Sequence, residues 1–82
     1  MKIAHLLCSD KYSGAENVVC QIIEWFKKSH EVEMVYVSKE GSIRHIVERR
    51  NIPFYGLGNH FLKDFFHFVK TQQPTIVHAH DI

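Results

Sequence analysis

The sequence predicts an α/β protein of three layers, with helices on both faces of a parallel sheet in strand order 3-2-1-4. Two observations carry this. Apolar, β-rich runs and segments of helical period alternate from Ile3 to His80. Such alternation builds parallel sheets, because each crossover returns the chain to the same end of the sheet with one favoured hand. There are three crossovers, and the usual outcome of three puts the first strand beside the fourth, with the order reversing between them.

Each element follows from its own residues. Ile3 to Cys8 is a short apolar run bounded by Ser9-Asp10, as a buried strand is. From Ala15 the apolar residues Ala15, Val18, Val19, Ile22, Ile23 and Phe26 fall on one helical stripe. Glu16 in the first turn and Lys27-Lys28 in the last suit the helix dipole. Val32 to Val37 is the second strand, ending at Ser38. A short helix follows, with Ser42 expected as N-cap, Ile43, Ile46 and Val47 inward, and Asn51 in the left-handed position after its end. Pro53 cannot continue that helix, so Phe54-Tyr55 and Leu57 form a third strand. The third helix runs from Phe61 to Gln72, stopped by Pro74, and Thr75 to His80 is the fourth strand. The phenylalanines of the third helix are expected to pack on the sheet rather than dock on a membrane, since Lys63 and Lys70 are too few to form a basic belt.

Composition narrows the function. Eighty-two residues allow one domain. A net charge of +1 without a Lys/Arg stripe gives no case for nucleic acid. Cys8 and Cys20 are too few and too far apart for a zinc knuckle or a redox pair; two thiols in apolar settings fit a reducing cytoplasm. The opening apolar run breaks at Ser9-Asp10-Lys11, too soon for a secretory or membrane-spanning segment.

Two clusters carry chemistry. Ser13-Gly14-Ala15-Glu16 joins the first strand to a helix N-terminus, where Gly14 permits a positive φ or a close backbone approach and free N–H groups can hold an anion. It is neither a dinucleotide fingerprint nor a Walker loop. The second cluster is His78-Ala79-His80-Asp81. Strand alternation puts His78 and His80 on one face at the end of the fourth strand, where open α/β sheets bind ligands. Histidines at i and i+2 can chelate, but a metal site needs three or four ligands. No further His, Asp or Cys pair has ligand-like spacing, so no metal is expected. His5 reads as buried strand; His30, His45, His60 and His67 read as surface.

Together, in this order, the motifs resemble the N-terminal domain of retaining GT-B glycosyltransferases of the large family 4 type. The resemblance runs through Met1-Lys2-Ile3, the loop Asp10-Lys11-Tyr12-Ser13-Gly14-Ala15-Glu16, the helix Asn17 to Lys28, the Gly41-Ser42-Ile43 helix start and the strand Pro74-Thr75-Ile76-Val77-His78-Ala79-His80-Asp81. The last block is the most specific, being similar to the family's P-D-I-[IV]-H-x-H. The chain departs from the pattern at Ala15, where many members have a second glycine, and at Thr75, where an acidic residue is common.

The resemblance implies an incomplete half of a GT-B fold, a Rossmann-like acceptor-side domain without its donor-binding partner domain. It implies His80 as the catalytic residue near the transferring sugar. Ser13, Gly14, Ala15, Glu16, His78 and Asp81 are implied around the substrates, with His78 one residue pair deeper and supporting. The expected substrates are a nucleotide-sugar donor and a glycan or lipid-linked acceptor of the cell envelope. No cofactor is expected, the setting is the cytoplasm or the inner face of the membrane, and the fragment alone should lack activity. The chain is expected to self-associate through the fourth strand. Two other classes compete: a fragment of an H-x-H metal-dependent hydrolase, and a stand-alone α/β interaction module.

Overall fold

A computed structural model describes residues 1–8, 14–29 and 31–80. Four strands and three helices alternate: β1 (Lys2–Leu7), α1 (Gly14–Phe26), β2 (Glu33–Lys39), α2 (Ile43–Arg49), β3 (Phe54–Leu57), α3 (Phe61–Gln72) and β4 (Ile76–His80). The sheet is parallel in the order β3-β2-β1-β4, as the alternation predicts. This is a Rossmann-like α/β arrangement.

Strand alternation sorts the core into two layers. Leu7 of β1 and Tyr36 of β2 pack with Val19, Cys20 and Ile23 of α1 and with Ile43 and Val47 of α2. Ala4, Leu6, Val35 and Val37 point the other way and pack with Phe68 of α3, flanked by Phe61, Phe65 and Val69. α1 and α2 therefore share one face and α3 takes the other. The chain steps outward from β1 to β3 and then returns to β4, so keeping one crossover hand requires the return helix to change faces. That change of face makes the corner between β1 and β4 the switch point.

Several local expectations need correction. α1 seats on Glu16, Val19, Cys20 and Ile23, while Val18 and Phe26 of the expected stripe are exposed. The buried arc is centred on Val19, Cys20 and Ile23, with Val18 on the far side of the helix. Its flank is tied to the end of α2, where Arg50 donates to Glu24 Oε2 at 2.9 Å and to Asn17 Oδ1 at 3.1 Å. Lys27 and Lys28 lie beyond the helix, and Lys27 Nζ donates instead to the Asn51 carbonyl at 2.8 Å.

Ser42 precedes α2 but is already helical (φ −63°, ψ −23°) and makes no side-chain capping bond, so its hydroxyl does not have the cap geometry. Asn51 does adopt the left-handed conformation, at φ 58°. α3 keeps its expected bounds, and its end is also shaped by Gln73 at φ 47°, whose N–H reaches the Val69 carbonyl. On α3 the apolar arc is wider than the contact: Phe68 is buried, whereas Leu62 and Phe66 are exposed. Cys20 is buried, but Cys8, read as lying in an apolar setting, is exposed; both are free thiols. No helix among the described residues is long and apolar enough to cross a membrane.

Candidate functional site

The register of β1 against β4 builds the site. His5 pairs with His78, and Leu7 pairs with His80. Because neighbouring strands keep the same pleat, His5, His78 and His80 project from the same face, the one that carries α1. Adjacent strands stand about 4.8 Å apart, so three imidazoles on two such strands must meet. The His78 and His80 ring centroids are 4.0 Å apart, and those of His5 and His80 are 5.3 Å apart.

The three rings differ in setting. His5 is buried, His80 half-buried and His78 exposed. His78 lies on the same face one residue pair before His80, but it is the more exposed of the two, so burial does not give it the packing role expected of it. His5 turns Nδ1 to His80 Nε2 at 3.1 Å and Nε2 to the Met34 sulfur at 3.4 Å. Burial, followed by the charges of His80 and His78, lowers the His5 pKa from 6.5 to about 4. His5 is therefore a neutral imidazole at ordinary pH. In its Nε2–H tautomer it donates weakly to Met34 and accepts from His80, which orients the His80 ring.

Sequence reasoning missed His5. In the sequence it reads as strand core, which its burial bears out, and nothing local sets it among the functional histidines. A signal was present: aligning the first and fourth strands in the order 3-2-1-4 sets His5 beside His78. This overturns the premise that no third metal-type ligand exists. One nitrogen from each of His5, His78 and His80 lies within 4.8 Å of the other two.

The strand-to-helix loop is described only in part. Ser13 and Asp81 lie outside the described residues. Gly14 opens α1, and Leu7, the last residue of β1, is in register with His80. The chain thus leaves β1 for α1 from the same end of the sheet as the histidines. Gly14 does not have a positive φ, and a Cβ added there would meet nothing within 4 Å, so the fold itself does not require a glycine. Ala15 is half-buried and Glu16 is buried in the first turn of α1, where a carboxylate suits the helix dipole.

The fold and site thus define a Rossmann-like α/β protein with a histidine cluster at its switch point. No family model, curated protein or solved structure matches the chain.

Proposed function

We propose that the chain is the acceptor-side domain of a retaining glycosyltransferase that moves a sugar from a nucleotide-sugar to a glycan or lipid-linked acceptor of the cell envelope. The observation that carries the reading is the position of His80. It ends β4 beside the end of β1, where the strand order reverses, and is half-buried, so it is both held and reachable. The sequence pattern from Pro74 to Asp81 supports the same reading.

In this reaction the bond between the anomeric carbon and the diphosphate breaks, with its electron pair going to the diphosphate. An acceptor hydroxyl oxygen forms the new glycosidic bond, and the hydroxyl proton passes to an oxygen of the leaving diphosphate. The leaving diphosphate needs positive potential and positioning more than a base. A donor-binding domain supplies most of that potential. His80, oriented by His5, offers a polar nitrogen to the transferring sugar, while the start of α1 presents backbone N–H groups at the same end of the sheet. The compartment that goes with this chemistry is the cytoplasm, at the inner face of the membrane for a lipid-linked acceptor.

The test is nucleotide release from a panel of nucleotide-sugars by the full-length protein, with membrane or glycan acceptors. The expected result is turnover of one donor, cut about 10²–10³-fold by His80→Ala with the melting temperature unchanged. Failure to consume any nucleotide-sugar, or near-normal turnover in His80→Ala, contradicts the reading.

A further inference from the structure

We propose that His5, His78 and His80 form a binding site for a single zinc-class divalent cation. The proposal stands on the geometry of two strands and does not rest on the glycosyltransferase reading.

Three histidines with one open position are a donor set that holds zinc. Zinc–nitrogen bonds of about 2.0–2.1 Å in a tetrahedral arrangement put ligand nitrogens about 3.3 Å apart. The His5 Nδ1 to His80 Nε2 separation is 3.1 Å, and all three ligand nitrogens fall within 4.8 Å of one another. In the metal-free chain the His5 and His80 nitrogens share a hydrogen bond and point at each other. Zinc takes the place of that proton, with His80 turning its nitrogen toward the ion and the exposed His78 turning in to complete the set.

The support around the ligands also fits. The backbone positions are set by the parallel pairing of β1 and β4, and ligands on paired strands are held more closely than ligands on loops. A ligating histidine usually has a partner for its other ring nitrogen, and the Nε2 of His5 faces the Met34 sulfur. His78 is exposed and His80 half-buried, so the β4 side of the cluster meets solvent. Among the other described histidines, His45, His60 and His67 are exposed and none joins a three-ligand group, so this corner is distinct from the rest of the described surface. Imidazole donors favour zinc, copper, nickel and cobalt over magnesium or calcium, which take oxygen ligands. An ion here takes the His80 Nε2 that otherwise donates to His5, so metal binding and the His5–His80 hydrogen bond of the proposed sugar-transfer site exclude one another.

The experiment uses the tag-free chain after chelator treatment, titrated with Zn²⁺ by calorimetry and with Co²⁺ by visible absorption, without sugar or nucleotide. The expected result is one ion per chain, an intense tetrahedral Co²⁺ band, and a melting temperature that rises with zinc. His78→Ala, which removes an exposed side chain and leaves the core intact, should weaken binding by at least about tenfold and abolish the thermal shift; His80→Ala should do the same. His5→Ala opens the core, so the proposal is judged on the two β4 variants. Unchanged one-to-one binding in both variants would place the ion on surface histidines and overturn the site. Absence of binding, or a weak octahedral Co²⁺ spectrum, would overturn it equally. None of these failures touches the nucleotide-release test.

Discussion

β1 and β4 lie side by side in register, yet four of the six residues of β1 are buried and none of the five in β4 is. β1 is covered on both faces, by α1 and by α3. β4 is the edge, with Ile76 and Val77 exposed and no strand on its outer side among the described residues. The same side-chain chemistry therefore behaves differently a few ångströms apart: His5 is a buried, neutral, fixed ring, while His78 and His80 meet solvent. A rigid strand positions the cluster, and an exposed strand presents it.

The contrast can be broken most forcefully in the core. Phe68 is the one residue of α3 that is fully buried, and it seats the helix over β1 and β2. Phe68→Ala should cost about 3–5 kcal/mol, enough to unfold much of a small domain. Val77→Ala, on the exposed strand, should cost well under about 1 kcal/mol. Urea melts of both variants check this, and equal costs would mean that β4 is as buried as β1.

The next effect is in pH. The His5 pKa is about 4 in the folded chain, against an ordinary 6.5. Between those values the unfolded chain binds the extra proton, so stability falls as pH drops through this window and the loss ends below about pH 4. One proton is worth at most about 1.4 kcal/mol per pH unit. Denaturation across the window should show that slope. Stability that stayed flat or rose with acid would remove the buried histidine from the account.

Much of this was legible from the residues, and the failures have physical causes. The strand order and the bounds of α3 could be read because alternation and Pro74 are strong local signals. The face of α1 could not, since it is set by packing against Leu7, Tyr36, Ile43 and Val47, which lie on three other elements, and Cys20 joins the contact while Val18 does not. The Ser42 cap failed because residue type suggests a cap but the backbone decides it. His5 was overlooked for a different reason: a histidine inside an apolar run reads as core. Only the pairing of β1 with β4, set between opposite ends of the chain, turns it toward the site.

The smallest expected effect concerns Gly14. It opens α1 without a positive φ and with open space at its Cβ position. Gly14→Ala should therefore stabilise the chain, by at most about 1 kcal/mol. Thermal melts test this. If the glycine serves close approach of a substrate in the proposed reaction, the variant should lose nucleotide release while gaining stability. A clear loss of stability would contradict the backbone conformation described.

The most direct measurement is a histidine-ring NMR titration of the metal-free chain, since the central claim is that β1–β4 pairing brings a buried His5 against His78 and His80. The account predicts that His5 stays neutral through the range in which ordinary histidines protonate and titrates near pH 4. His80→Ala should move that midpoint upward without restoring it fully, because burial is the larger cause. A His5 midpoint at the ordinary 6.5, unmoved by His80→Ala, would contradict the cluster and the functional readings built on it.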